Sequence, residues 1–208
     1  MKRTSVLIAC LWILATGQAA GAGQNPEFTL PLHVAVSSYL PCNGYLPVDC
    51  LGHRPTVNLV GGGPVAVFFF VANHHRIGAV QGGVEWDPSW SFGFSLFDCL
   101  PGQIDGFWPE GSTTASGATA FSCVEGPALA CFGRMFFVAG DSGCLRYIQP
   151  QWPFGICVLD CATQIDQIID PDSPRLGRVC VDSGGIDACE RVVPVASATW
   201  GAIKDSFR

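Results

Sequence analysis

The stretch from Gly61 to Pro88 reads GGGPVAVFFFVANHHRIGAVQGGVEWDP, and the fold follows from how it is parsed. Pro64 to Ala72 is an almost unbroken apolar run, which suits a strand buried on both faces. Asn73, His74, His75 and Arg76 break the run. From Gly78 onward Val80, Val84 and Trp86 are apolar at even positions, while Gln81 and Glu85 point the other way. That alternation is the period of a strand with one face in a core. Asp87-Pro88 closes it as a turn. The reading is two strands joined by a short polar turn, a hairpin at the centre of an all-β domain.

Outward from this stretch, the first 22 residues read as an export signal. Lys2 and Arg3 form a positive start, Val6 to Ala15 a short apolar core, and Ala20-Gly21-Ala22 a small-residue cleavage site. Leu7-Ile8-Ala9-Cys10 has the look of a lipoprotein signal, but apolar residues continue through Leu14 where such a signal turns polar. The expectation is a secreted, extracellular or cell-surface chain of 186 residues with no further transmembrane segment. Its formal net charge becomes −8 once Lys2 and Arg3 leave, against −6 for all 208 residues. No Lys/Arg cluster remains, which argues against a nucleic-acid partner. Abundant Gly and Pro with sparse charge point to many turns and short strands. Ten cysteines follow the signal, an even number suited to a disulfide framework. Cys157–Cys161 and Cys180–Cys189 lack the paired C-x2-C spacing of zinc ribbons. Proximity in sequence suggests Cys42–Cys50 and Cys180–Cys189 as disulfides, and strand adjacency suggests Cys99–Cys123.

Along the chain, Phe28 to Val36 reads as an edge strand, since Pro31 cannot donate to a ladder. Its even positions are apolar, and His33 is read as facing solvent. Trp90 to Phe97 alternates so that Trp90, Phe92, Phe94 and Leu96 share a face. Pro101 to Gly117 reads as turns, and Ala118 to Cys123, Leu129 to Ala139, Cys144 to Ile148 and Gly155 to Leu159 as strands. This is the pattern of an antiparallel β-sandwich over residues 23–161, immunoglobulin-like in class and stapled by disulfides. Residues 162–196 read as a cysteine-containing loop appendage, with Ile165, Ile168 and Ile169 at the spacing of a small helix. Residues 197–208 form an amphipathic tail in which Trp200, Ile203 and Phe207 are the docking side.

Motifs for chemistry are weak. Gly140-Asp141-Ser142-Gly143 resembles the nucleophile segment of trypsin-like proteases, but Cys144-Leu145 follows and no histidine sits in the matching context. A tight turn uses Asp, Ser and Gly for its own geometry. His74 and His75 read as solvated turn residues rather than metal ligands. The aspartates cap turns, and none forms a D-x-D-x-D-G loop. No cofactor is implied, although a calcium ion shared between loops is one reading. No catalytic residue and no glycosidase carboxylate pair can be singled out. Among Trp90, Phe107, Trp108 and Trp152, the last two fall in expected loops, where a flat ring is free to cover a sugar.

The segment GAVQGGVEWDPS, Gly78 to Ser89, resembles the glycine-rich strand of cohesin modules, which ends in Y-D-P-S; Trp86 stands where tyrosine is usual. The strands at Val65 to Ala72 and Leu129 to Val138 also fall where such modules place core strands. The likeness covers residues 28 to 161. The second half is similar to uncharacterised secreted bacterial proteins, through Gly133 to Phe137, Val158 to Cys161, Leu176 to Cys189 and the TWGAIK tail, Thr199 to Lys204. The cohesin resemblance implies a β-sandwich that binds proteins in extracellular or surface assemblies. The extra cysteines and the C-terminal part depart from that pattern, so its interface does not carry over. The first expectation is therefore a non-enzymatic binding or adhesion module acting through protein contacts. The alternative is a carbohydrate-binding module that holds polysaccharide on Trp108 and Trp152, and the third reading is a secreted hydrolase.

Overall fold

The computed structural model describes residues 25–37, 52–125, 129–150, 155–161, 165–168, 170 and 172–189. The proposed signal peptide, Cys42, Cys50, Trp152 and the tail bearing Trp200, Ile203 and Phe207 lie outside the described residues. The strands run Leu32–Val36 (β1), Thr56–Val57 (β2), Gly63–Val71 (β3), Arg76–Trp86 (β4), Ser91–Leu96 (β5) and Ile104–Pro109 (β6). They continue with Thr114–Glu125 (β7), Ala130–Ala139 (β8), Gly143–Ile148 (β9), Ile156–Leu159 (β10), Ile165–Ile168 (β11) and Arg178–Val181 (β12). They form a β-sandwich of a four-stranded sheet, β1-β3-β8-β5, and an eight-stranded sheet. All pairings are antiparallel except β2 with β12.

The decisive stretch does form two long strands, but they do not pair with each other. β3 lies between β1 and β8, while β4 belongs to the opposite sheet. The expected hairpin is an arch that crosses the core. Asn73 takes a left-handed φ of 55° in the crossing. Asn25, fully buried, clamps it: its side-chain oxygen accepts the backbone N–H of His75 at 2.8 Å, and its amide donates to Arg76 O at 3.0 Å. The arch also buries His74, which was read as solvated, and leaves His75 exposed.

β4 is the spine of the larger sheet. One edge pairs with β7 along nearly its whole length. The other edge is divided, with Ala79 to Gln81 against β10 and Gly83 to Trp86 against β9. β6 lies outside β7, so residues 101–117, expected as turns, contain a strand and the start of the twelve-residue β7. The expected helix near Ile165 is strand β11, paired with β10. β12 pairs with β9, so part of the expected appendage, residues 162–196, builds the larger sheet.

Between the sheets, Phe69 meets Phe97, Phe107, Phe132 and Tyr147 with ring centroids 5.7–6.1 Å apart. The glycines of β4 and β7 make room here. A side chain on Gly82 would meet the Phe107 ring at 3.3 Å, and one on Gly117 would lie 2.1 Å from Gly106 O. β3 is buried on both faces as expected, because Ala66, Phe68, Phe70 and Phe136 form a second apolar cluster on the outer side of the smaller sheet. A bulge at Phe92/Phe94 breaks the expected alternation of β5. Phe92 stacks inward on Trp86, while Phe94 is 43% exposed. β1 is an edge strand, as Pro31 implied.

Two disulfides join described cysteines, Cys123–Cys161 and Cys144–Cys180. They overturn the expected Cys99–Cys123 and Cys180–Cys189 pairs. Cys144 faces Cys180 directly across β9 and β12, a pairing invisible at a separation of 36 residues. Cys99 and Cys189 are disulfide-bonded as well.

Candidate binding face

The register of β6, β7, β4, β9 and β10 sets out the outer surface of the larger sheet row by row. Trp108, Ser116, Gly83 and Ile148 stand in one row. Gly106, Ala118, Gln81 and Cys157 form the next, then Ile104, Ala120, Ala79 and Leu159. None of these side chains is charged, and Ser116, Gly83, Ala118, Gln81 and Cys157 in the middle of the rows are buried, so the accessible part of this face is its rim. Gln81 donates its amide to Gly155 O at 3.0 Å on this surface. The large exposed groups are Ile104, 52% exposed, and Trp108, 53% exposed, both on the outermost strand β6.

Trp108 is thus accessible as expected, though on a strand rather than a loop. Trp90 and Phe107, weighed beside it for sugar stacking, are buried at 2% and 0% exposure. Trp90 Nε1 donates to Ser142 O at 2.9 Å, which ties the turn that resembles a protease motif into the core. Ile104 was missed because its segment read as turns; its spacing of four residues from Trp108 was the available signal.

One row further along β4 the surface becomes charged. Thr114, Glu85, Arg146 and Arg178 stand opposite one another across β7, β4, β9 and β12. Glu85 Oε1 accepts from Arg146 Nε at 2.6 Å and lies 2.5 Å from Nη2. Arg178 Nε donates to Gly184 O at 2.8 Å. Glu85, Arg146 and Arg178 line an open groove of about 470 Å³ together with Asp87. The Ser89 side chain and then its backbone N–H, 2.9 Å from Asp87 Oδ1, hold the Asp87 carboxyl below the usual carboxylate range. Sequence spacing gave no hint of this row, since its members come from distant strands.

A second polar cluster lies on the smaller sheet. His33, expected in solvent, is 6% exposed. Its ring lies against Phe68 and Phe70, with its centroid 5.6 Å from that of His53. His33 Nδ1 accepts the Arg54 N–H at 2.9 Å. Burial first, then His53 and Arg54, push the His33 pKa down to about 4. His53 Nδ1 is 2.9 Å from Asp187 Oδ1, close but not aligned as a hydrogen bond. Burial lowers its pKa and Asp187 opposes that shift. The His53 side chain has no exposed surface, so this His–Asp contact cannot reach a substrate as a base. Among the described residues no group of three or more His, Cys, Asp or Glu side chains converges to hold a metal, and no helix is long and apolar enough to cross a membrane.

No family model matches the chain, and no curated protein matches it. The chain is similar, at low identity, to solved cohesin modules. The cohesin module of a Clostridium perfringens family 33 glycoside hydrolase is 7% identical, with 74% of this chain and 95% of that chain covered, at a TM-score of 0.46. A type II cohesin domain from the cellulosome of Acetivibrio cellulolyticus is 11% identical over 74% and 95% of the two chains, at 0.44. The sixth cohesin of that organism's scaffoldin B, solved in complex with a Cel5 dockerin, is 10% identical over 67% and 90%, at 0.45.

Proposed function

We propose that this chain is a non-enzymatic exported module that binds a protein partner on the outer surface of its larger sheet, in an extracellular or cell-surface assembly. The observation that carries the reading is the pair Ile104 and Trp108, half exposed on β6 beside three uncharged rows. A large aromatic and a branched aliphatic group exposed together at the edge of an uncharged sheet, with a charged row along it, have the composition of a protein interface. Buried Trp90 contrasts with Trp108 and shows that this fold can sequester an indole. The reading of residues 1–22 as a signal peptide supports export.

Polysaccharide binding is the second reading, favoured by the exposure of Trp108 alone, since Trp90 and Phe107 are not available to extend a platform. The test incubates the oxidised chain with the host's secreted and surface proteins and, in parallel, with insoluble polysaccharides. Under the first reading one protein is captured, and Trp108→Ala weakens its binding tenfold or more, the cost of losing an interface anchor of about 2 kcal/mol. Retention on a polysaccharide that Trp108→Ala abolishes establishes the second reading instead. Capture that is indifferent to both Trp108→Ala and Ile104→Ser removes this surface as the binding site.

A further inference from the structure

The charged row bordering the apolar surface is out of balance in one place. Arg146 and Arg178 face each other directly across β9 and β12. Like charges so placed repel. Glu85 spends one oxygen on both Nε and Nη2 of Arg146. Arg178 has its Nε fixed on Gly184 O, and among the described residues no carboxylate stands within ion-pair distance of it. The strands cannot slide to relieve the pair, because the Cys144–Cys180 disulfide joins the same two strands two residues along. The result is an oriented guanidinium with free Nη donors, held beside a second one, on a chain whose formal net charge is −6.

We infer that Arg178, with Arg146 beside it, receives a single carboxylate from the partner, the side chain of an aspartate or glutamate. This rests on the reading of the surface as a protein-binding one and names the chemistry of the partner's contact. A planar guanidinium fork suits a carboxylate through two parallel N–H···O bonds. Glu85 already pairs with Arg146 and Asp87 lines the same groove, so the site offers one arginine charge without a carboxylate partner, which a single carboxylate matches and a phosphate dianion exceeds. The overall negative charge disfavours a broadly acidic partner and favours one acidic residue within a neutral surface.

The test follows the arginine Nε–Hε signals of the oxidised chain by NMR. The probe is N-acetyl-glutamate N-methylamide, with the glutamine analogue and methyl phosphate as controls. Saturable shifts of Arg178 and Arg146, absent at Arg76 and Arg175, absent with the glutamine analogue and weakened at least tenfold at Arg146 by Arg178→Gln, support the inference. Arg178→Lys, which keeps the charge without the fork, supplies the comparison if the Gln variant misfolds, and it must weaken binding at least threefold. No shift at Arg178, or equal shifts at every arginine, overturns it, as does methyl phosphate binding more tightly than the carboxylate. The two readings fail separately. A captured partner whose affinity ignores Arg178→Gln removes this inference and leaves the binding module standing. A specific carboxylate site on a chain that captures no protein keeps Arg178 as a carboxylate receptor but overturns its assignment to a protein partner, together with the module.

Discussion

Trp90 and Trp108 are eighteen positions apart and equally aromatic, yet they play opposite parts. Trp90 is closed into the core and hydrogen-bonded to Ser142 O, while Trp108 keeps half its surface in water. In chemical denaturation Trp90→Ala is expected to cost about 3–5 kcal/mol, the price of a buried indole with its cavity. Trp108→Ala is expected to leave stability within about 0.5 kcal/mol, as surface changes do. His33 supplies a pH prediction. Its pKa of about 4 lies below the ordinary 6.5, so the unfolded chain binds the extra proton first as pH falls. Its contribution is complete above pH 6.5 and is lost between 6.5 and about 4, on the order of 3 kcal/mol in all. Urea midpoints measured from pH 7.5 to 4 in the parent and in His33→Phe check this. The parent should lose stability faster than the variant across that window, with His53, Arg54 and Asp187 unchanged in both. His33 looked exposed in the sequence because alternation puts it opposite Leu32 and Val34. Alternation has no way to know that the outer side of the smaller sheet is covered too, by Phe68, Phe70 and His53.

Among the elements, β3 and β4 were legible as strands and their partners were not. A short polar break between two apolar runs describes a hairpin and an arch equally well. The left-handed Asn73 and the clamp from Asn25, some fifty residues upstream, decide for the arch. β5 was read with the wrong face outward beyond Gly93 because a bulge shifts the period by one residue. β6 and β11 were missed for a different reason: both are short, and glycine or polar residues interrupt their patterns, so pairing with β7 and β10 stabilises them rather than their own propensity. The β6–β7 pair rests on close backbone approach at Gly117. Gly117→Ala places a methyl 2.1 Å from Gly106 O, so β6 must move away. The expected result is a loss of about 1–3 kcal/mol, the usual cost of overpacking. Amide hydrogen exchange should speed up in β6 and β7 first, and unchanged exchange there would contradict the role given to Gly117.

At the scale of the whole molecule, disulfides join the C-terminal part to the larger sheet. Cys144–Cys180 closes a span of 36 residues between β9 and β12. Replacing both by serine should lower stability by about 4 kcal/mol on the chain-entropy account. Guanidinium denaturation of the double variant measures this, and an unchanged midpoint would show that β12 is held by its backbone ladder alone. The same variant frees Arg178 from its fixed position opposite Arg146, so its carboxylate response should broaden or vanish. From its amino-acid order alone, this protein declares itself an all-β, cysteine-rich sandwich with an apolar strand through its middle, a glycine-rich strand after it and Trp108 as an aromatic to watch. Those features are readable along the chain: a periodicity of two, apolar runs, turn residues and an abundance of cysteines. The tertiary structure alone decided which strands are neighbours, which cysteines meet, that His33 is buried, and that Glu85, Arg146 and Arg178 share a row. Each of these depends on register between strands 20 to 100 residues apart. That register comes from filling both sides of the sheets at once, a condition that no window along the chain contains.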